Sequence, residues 1–318
     1  MYYIGVDLGG TNIKVGIVDT ESCAILGEGS LPTALPRLAD AVCADIVRAI
    51  NIALDAAGLT LAQMKGIGVG CPGTINPENG VVEYSNNLGW RDYPMRHYLS
   101  EATGLPVAMG NDANVAALGE VCAGSAKGAS SAVIVTLGTG VGCGVVLAGE
   151  ILTGYNFAAS ELGHMVIQYG GRLCTCGRRG CLEAYASATG LINMTKEAAA
   201  AHPGSLLAAI AEENGGADGR TAFLAAKRGD AAGQAVVDEY IGYLACGVTN
   251  IINIFEPEVI SLGGGIAKEG ENLLAPLRER AYAEIFGGCG EKYTRITACT
   301  LGYKAGIIGA AMLGRKDA

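Results

Sequence analysis

The sequence has no excess of positive charge. Its 318 residues include 22 Lys and Arg against 31 Asp and Glu, which gives a formal net charge of −9. Such a chain repels the phosphate backbone of nucleic acids and the headgroups of anionic lipids. We therefore expect neither nucleic acid nor membrane as a partner, and an anionic small ligand must be held by local groups.

The sequence also lacks a secretory leader and an unbroken hydrophobic span. A strand-like run follows Met1 directly, without the basic, apolar and small-residue segments of a signal peptide, so we expect a cytoplasmic protein. The uncharged run 132–149 is about long enough to span a bilayer, but its five glycines break it into two short strands. We interpret this run as a buried hairpin.

Two common nucleotide-binding signatures are absent. No segment has the Walker form G-x-x-x-x-G-K-[ST], and no G-x-G-x-x-G opens a helix after the first strand, which disfavours P-loop enzymes and dinucleotide dehydrogenases. Three other glycine-rich loops each follow an apolar strand, where glycine lets backbone amides approach a phosphate. Each loop alone is equally compatible with an ordinary turn, but the three together favour a phosphate cleft. They are Asp7-Leu8-Gly9-Gly10-Thr11, Leu137-Gly138-Thr139-Gly140 and Leu262-Gly263-Gly264-Gly265.

Apolar runs of strand type alternate with helical patterns, which predicts an α/β protein. The order of strand, glycine turn and strand occurs twice, over 2–18 and again over 132–147. Two copies of one pattern predict two lobes built on the same plan. Helices are predicted for 38–57, 113–122, 238–255 and 305–313.

Eleven cysteines in a reducing compartment are not expected to form disulfides. Eight occur singly and are interpreted as small apolar residues. The other three, Cys174, Cys176 and Cys181, follow His164 closely and complete the ligand set of a closed structural zinc site. An iron–sulfur cluster would normally recruit a fourth cysteine. Four protein ligands leave no position for a metal-bound water, which disfavours a zinc-dependent hydrolase.

Four carboxylates are candidates for chemistry. A zinc cluster would fix Glu161 and Glu183 near the His164 imidazole, and such acceptors and donors suit a neutral polyol; the alternative is solvated surface acid. Asp112 follows a strand and precedes a helix, so it is either a general base for a sugar hydroxyl or a helix N-cap, a role that Asn111 could take instead. Asp7, beside the first glycine loop, could orient Mg²⁺.

Five motifs together resemble the ROK family (repressors, open reading frames and kinases), in its bacterial glucokinase branch. They are the segments 5–14, 110–114, 137–142, Glu161-Leu162-Gly163-His164 and the Cys-x-Cys-Gly-x-x-Gly-Cys run 174–181 with Glu183. The resemblance covers essentially the whole chain. It implies an α/β, actin-like ATPase (ribonuclease H-like) fold with two lobes around a central cleft. One lobe would comprise 1–110 joined by a C-terminal helix 302–318, and the larger lobe, 111–301, would carry the zinc loop.

The resemblance also implies roles for individual residues. Asp112 would be the catalytic base. The sugar ligands would be Gly73, Asn86, Asn111, Asp112, Glu161, His164 and Glu183. The nucleotide would be held by Asp7, Gly9, Gly10, Thr11, Lys14, Gly138, Thr139, Gly140, Gly264 and Gly265. Structural Zn²⁺ would be bound by His164, Cys174, Cys176 and Cys181.

The implied activity is that of an ATP- and Mg²⁺-dependent hexokinase acting on glucose at O6, in a homodimer. Where many relatives have Gly-x-x-Gly-x-x-Gly before Glu161, this chain has Phe157 and Ser160 at the second and third positions, so the choice of hexose stays open among glucose, mannose, fructose, N-acetylmannosamine and N-acetylglucosamine. Polyphosphate could replace ATP, and a non-catalytic sugar sensor is the alternative from another class. We expect no helix-turn-helix before Tyr2, which disfavours the repressor branch.

Overall fold

The structure is a computed structural model that describes residues 1–316. Within these residues the strands are β1 (Tyr2–Leu8), β2 (Asn12–Asp19), β3 (Ala24–Pro32), β4 (Met64–Cys71), β5 (Thr74–Asn76), β6 (Val81–Ser85), β7 (Trp90–Tyr93), β8 (Val107–Asn111), β9 (Ala132–Leu137), β10 (Val141–Leu147), β11 (Glu150–Ile151), β12 (Val259–Gly264) and β13 (Arg295–Ala298). The α-helices are α1 (Ala39–Ala57), α2 (Met95–Thr103), α3 (Asp112–Ala123), α4 (Glu183–Ala186), α5 (Ala188–Ala201), α6 (Leu206–Glu213), α7 (Thr221–Lys227), α8 (Ala231–Phe255), α9 (Glu271–Ala283) and α10 (Lys304–Lys316). None of these helices is both long and apolar enough to span a membrane.

The first sheet has the strand order β3-β2-β1-β4-β8. Strands β1 and β2 form the predicted hairpin, with Leu8 opposite Ile13, so the first glycine loop is its turn. Strands β1, β4 and β8 run parallel to one another. Their carboxyl ends therefore meet at one edge of the sheet, which is the edge where ligands bind in open α/β sheets.

Both faces of this sheet are covered by helices. The apolar side of α1 packs in a buried cluster on one face, and α10 contributes Ile307 and Ala311 to a cluster with Tyr3 and Val18. The sequence permits this contact because Gly68 has no side chain: a Cβ there would overlap the backbone oxygen of Ala310. Such a close approach of helix and sheet is available only to glycine.

The second sheet has the order β11-β10-β9-β12-β13, and the small third sheet is β5-β6-β7. In the first sheet, β2 and β3 lie on one side of β1, and β4 and β8 lie on the other. In the second sheet, β10 and β11 lie on one side of β9, and β12 and β13 lie on the other. The pattern repeated in the sequence is therefore found again in the strand order of both sheets. The predicted hairpin at 132–147 corresponds to β9 and β10.

Contacts along the chain define two compact units. The first comprises Met1–Val133, Gly144–Ser160 and the described residues from Thr300 onward; the second comprises Ile134–Cys143 and Glu161–Cys299. The lobe boundary inferred from the sequence, between 110 and 111, stays a prediction. Helix α8 begins at Ala231, before the predicted start at 238, because the Asp230 side chain accepts a hydrogen bond from the Gly233 N–H (2.9 Å) and caps the helix earlier.

Candidate active site and metal centre

Asp7 lies near the carboxyl end of β1, opposite Lys14 on β2. The Lys14 Nζ is 3.8 Å from the Asp7 Oδ2. Burial raises the pKa of the Asp7 carboxyl, the charge of Lys14 lowers it, and the charge of Asp112 raises it again. The two aspartates therefore interact electrostatically within the first unit. A carboxylate with a second carboxylate close by is a suitable oxygen donor for a hard cation such as Mg²⁺.

Asp112 is the first residue of α3, and the N-cap is its neighbour Asn111. The Asn111 Oδ1 accepts hydrogen bonds from the backbone N–H groups of Ala113 (2.9 Å) and Asn114 (3.2 Å). The sequence left open which of the two residues caps the helix, and the structure assigns that role to Asn111. Burial raises the pKa of Asp112 above its ordinary value, although its Oδ1 also accepts from the Ala113 N–H (2.9 Å), which lowers it. A buried carboxylate of this kind is a stronger proton acceptor than an exposed one.

Gly73 lies beside Asn111, because the Asn111 Nδ2 donates a hydrogen bond to the Gly73 carbonyl oxygen (3.1 Å). Asn86 is exposed, and its Oδ1 accepts a hydrogen bond from the Tyr84 hydroxyl (3.3 Å) rather than from another residue of the group. The structure therefore brings Gly73 together with Asn111, and Gly73 also lies against the backbone of Tyr84 and Ser85, directly before Asn86. The assignment of Asn86 as a sugar ligand stays a prediction.

The segment before Glu161 has a backbone typical of glycine at three positions, of which only Gly154 is a glycine. Gly154, Phe157 and Ser160 all have positive φ angles, of 77°, 56° and 70°. Two residues with side chains therefore occupy the left-handed region, which costs on the order of 1 kcal/mol or more at each position. The Ala159 N–H donates to the Thr153 carbonyl (2.9 Å), and the Ser160 hydroxyl donates to the Leu152 carbonyl (3.2 Å). These hydrogen bonds hold the segment in that conformation.

The second unit contains the cysteine cluster, which we define as His164, Cys174, Cys176 and Cys181. The backbone bridge between Val166 and Cys181, with a hydrogen bond from the Leu182 N–H to the Met165 carbonyl (2.8 Å), brings the histidine beside the cysteine loop. The four ligand atoms all lie within 4.8 Å of one another. This is the only such cluster of potential metal ligands found within residues 1–316.

The distances inside the cluster suit a tetrahedral ion. The Sγ atoms of Cys176 and Cys181 are 3.8 Å apart, and the Cys174 Sγ is 3.6 Å from the His164 Nδ1. Zinc–sulfur bonds of roughly 2.3 Å in a tetrahedron put two sulfurs roughly 3.8 Å apart. Burial, together with the neighbouring thiols, raises the pKa of Cys181 to about 12. A divalent cation would stabilise the thiolate form and offset the effect of burial on this thiol, so the donor set fits zinc.

Glu183 begins α4 and joins two parts of the second unit. Its Oε2 accepts a hydrogen bond from the Val141 N–H (3.0 Å), and its Oε1 accepts from the Thr175 hydroxyl (2.8 Å). Burial raises the pKa of Glu183, but these hydrogen bonds outweigh it and hold the pKa below its usual value. Glu161 is exposed and precedes the single 3₁₀ turn Leu162–His164.

The second and third glycine loops lie together in the second unit. The Gly138 carbonyl accepts from the Ala188 N–H (2.8 Å), and the Thr139 carbonyl accepts from the Thr189 hydroxyl (2.8 Å). A Cβ on Gly264 would overlap the Leu137 carbonyl oxygen, so the end of β12, directly before Gly265, approaches the end of β9. The first loop, with Gly9, Gly10 and Thr11, belongs to the first unit, where the Gly9 N–H closes the turn onto the Asn12 carbonyl (2.9 Å).

Sequence reasoning missed three residues of these surroundings. Tyr303 lies under Lys14, whose Nζ is 5.6 Å from the ring centroid. Glu120 accepts hydrogen bonds from the backbone N–H groups of Thr300 and Leu301, far along the chain. Thr175 donates a hydrogen bond from its hydroxyl to Glu183. No local pattern identifies the first two, because their partners are distant in sequence. Thr175 could have been noticed between two cysteines, but its partner could not.

Known proteins are similar to this chain over nearly its whole length. The family model described as "ROK family" matches residues 3–317. A glucokinase from Halalkalibacterium halodurans is 40% identical over 319 residues, covering 99% of this chain and 96% of the relative. A crystal structure of a ROK family glucokinase from Streptomyces griseus in complex with glucose and AMPPNP is 33% identical, with a TM-score of 0.80 over 99% of this chain and 100% of that one.

A ROK hexokinase from Thermus thermophilus is also 33% identical, with a TM-score of 0.84, covering 100% of this chain and 99% of that chain. Similarity of this extent confirms the predicted α/β, actin-like ATPase fold. It also explains why motifs from both compact units match one family along the whole sequence. The chain belongs to the ROK family.

Proposed function

We propose that the chain is an ATP-dependent glucokinase, which transfers the γ-phosphoryl group of ATP to O6 of glucose. The near full-length similarity to glucokinases supports this activity. The observation that carries the chemical argument is the buried Asp112 carboxylate, with its raised pKa, at the carboxyl ends of the parallel strands β1, β4 and β8. This edge also holds Asp7 and Gly73.

Asp112 acts as the general base in this proposal. Its carboxylate accepts the proton of the O6 hydroxyl as O6 forms a bond to the γ-phosphorus, while the bond from that phosphorus to the bridging oxygen of ADP breaks. Asn111 supports the geometry, since it caps α3 and is anchored to Gly73. The proton ends on Asp112 and the phosphoryl group on the sugar.

The glycine loops hold the nucleotide in this proposal. Gly9 and Gly138 would shape two of these loops, since the Gly9 N–H donates to the Asn12 carbonyl (2.9 Å) and the Gly138 N–H to the Gly140 carbonyl (3.0 Å). Backbone N–H groups of Gly10, Thr11, Thr139, Gly140, Gly264 and Gly265 would face phosphates or adenosine. Asp7 would hold Mg²⁺, which neutralises phosphate charge when bound. Lys14 pairs with Asp7 and would contribute a second positive charge to the phosphate site.

The cysteine cluster is proposed to hold a structural Zn²⁺ that shapes the sugar site. Its four ligands leave no position for a water, so the ion supplies coordination and no bond-making step. The His164 ring nitrogen that does not bind zinc would donate to a sugar hydroxyl. Glu161 and Glu183 would accept from further hydroxyls, and Gly73, Asn86 and Asn111 would complete the ligand set for glucose.

The biological setting follows from the same proposal. Glucose phosphorylation supplies the first intermediate of glycolysis, which is a cytoplasmic process, and we propose a homodimer there. ATP is the proposed phosphoryl donor, with polyphosphate as a donor to be compared in the assay. The net charge of −9 supports an enzyme that does not bind nucleic acid.

A coupled assay of ADP release with a panel of hexoses tests this function. We expect the largest kcat/KM for glucose, ahead of mannose, fructose, N-acetylglucosamine and N-acetylmannosamine. The Asp112→Asn variant is the matched control, because it removes the base with little change of shape and excludes a contaminating kinase. A larger kcat/KM for an acetamido sugar than for glucose would mean that the acetamido sugar, and not glucose, is the substrate. Tight glucose binding without turnover would establish a sensor instead of a kinase.

A further inference from the structure

Thr175 lies between two ligands of the cysteine cluster and donates a hydrogen bond to Glu183. The Thr175 hydroxyl is 2.8 Å from the Glu183 Oε1, and the Cys174 Sγ is 3.4 Å from the same oxygen. We propose that Thr175 is a positioning residue, which transmits the shape of the cysteine cluster through Glu183 to the loop between β9 and β10. This inference rests on the proposed function, in which that loop would hold the phosphates of ATP.

The other oxygen of Glu183 defines the second half of the link. The Val141 N–H donates to the Glu183 Oε2 (3.0 Å), directly after the loop of Gly138, Thr139 and Gly140. A Cβ on Gly140 would overlap this same oxygen, so the backbone of the loop lies against the carboxylate. One carboxylate therefore bridges the cysteine loop and the proposed phosphate loop.

The position of Thr175 depends on the cluster. Both of its neighbours in sequence, Cys174 and Cys176, are cluster members, so a bound ion would fix the backbone on each side of the threonine. The Cys174 N–H donates to the Arg178 carbonyl (2.8 Å), and the Gly177 N–H donates to the Cys174 carbonyl (3.0 Å), which curls the loop around the sulfurs. Loss of the ion would release this turn and move the hydroxyl away from Glu183.

Thr175 has no evident part in the hydrophobic core. The residue is exposed, while its hydrogen-bond partner Glu183 is half-buried. Replacing an exposed threonine changes little in folding, whereas losing a hydrogen bond to a charged acceptor leaves the carboxylate with one anchor fewer. A Glu183 that can rotate would hold the Val141 N–H less well. The expected consequence is weaker nucleotide binding with the cysteine cluster intact.

Thr175→Val and Thr175→Ser, both in the full zinc-loaded chain, test the proposal. For Thr175→Val we expect unchanged zinc content and Tm, with the Kd for AMPPNP and the KM for ATP raised roughly fivefold to tenfold. Thr175→Ser, which keeps the hydroxyl, should restore both values. Thr103→Val is the matched control, since its hydroxyl donates to the Leu99 carbonyl (2.6 Å) in the other unit.

Metal removal supplies an independent readout. Chelation of the wild-type chain should raise the Kd for AMPPNP as Thr175→Val does, and chelation of Thr175→Val should add little further. Wild-type AMPPNP affinity in zinc-loaded Thr175→Val would overturn the proposal, as would weaker binding that Thr175→Ser does not restore. If the wild-type chain phosphorylates no hexose while AMPPNP binding still depends on Thr175, the proposed function fails and the link stands.

Discussion

The clearest stability prediction concerns Glu120, a carboxylate that is only 1% exposed and lies on α3. Its Oε1 accepts from the Leu301 N–H (2.9 Å) and the Thr300 N–H (3.1 Å). Its Oε2 accepts from the N–H and the hydroxyl of Ser125 (both 2.8 Å). The side chain thus ties the helix that begins with Asp112 to the segment that leads into α10.

Glu120→Gln keeps the size of the side chain and converts one acceptor oxygen into an NH₂ donor. If the remaining oxygen serves Thr300 and Leu301, the new amide faces the Ser125 N–H. The Ser125 N–H and an N–H of the new amide then lack an acceptor, and each unpaired donor that is shielded from water costs about 1–3 kcal/mol. We therefore expect the free energy of unfolding to fall by about 2–6 kcal/mol, a large share of the about 5–15 kcal/mol that stabilises a typical protein.

Urea denaturation followed by circular dichroism measures this loss. The midpoint for Glu120→Gln should fall well below the wild-type midpoint. The control is Glu101→Gln, because Glu101 is 71% exposed and pairs with the equally exposed His97, so its midpoint should hardly change. Equal midpoints for Glu120→Gln and the wild-type chain would contradict this prediction, since they would mean that the four donors need no carboxylate.

Three further predictions concern the sheet, the base and the metal. Gly68→Ala should lower Tm, since the new Cβ meets the Ala310 carbonyl and overpacking costs about 1–3 kcal/mol; an unchanged Tm would contradict this close contact. The kcat/KM for glucose should fall with decreasing pH at a pH above the usual carboxyl value of about 4, because protonated Asp112 cannot accept a proton and burial raises its pKa; an acid limb at or below that value would argue against Asp112 as base. Elemental analysis should find one zinc per chain, and chelation should lower Tm; pure active protein without zinc would exclude the structural ion.

The sequence was most informative where chemistry and spacing are local. The cysteine cluster was predicted in full because three of its ligands lie within eight residues, and the structure brings all four together. The β1–β2 hairpin was predicted because apolar runs flank a glycine turn. The N-terminal extent of α8 was missed because helical periodicity before residue 238 is weak, whereas the cap at Asp230 is a single side-chain contact.

The rest depends on contacts between distant parts of the chain. Glu120 and Thr300 are 180 residues apart, and no periodicity relates them. The contact between Gly68 and Ala310 is likewise visible only once α10 lies on the first sheet. The bridge from Thr175 through Glu183 to Val141 combines a turn, a helix start and a strand start. The cysteine turn and the strand after the glycine loop were predicted, but the helix start at Glu183 was not, and the meeting of all three at one carboxylate follows from the fold.

Phosphorus NMR of the purified chain with ATP, Mg²⁺ and glucose shows directly whether the chain transfers a phosphoryl group to the sugar. We expect glucose 6-phosphate and ADP to form in equal amounts, and Asp112→Asn to slow this reaction by about 10²–10⁴-fold while glucose still binds. A wild-type chain that binds glucose without forming the sugar phosphate, or an Asp112→Asn variant with wild-type turnover, would contradict this expectation.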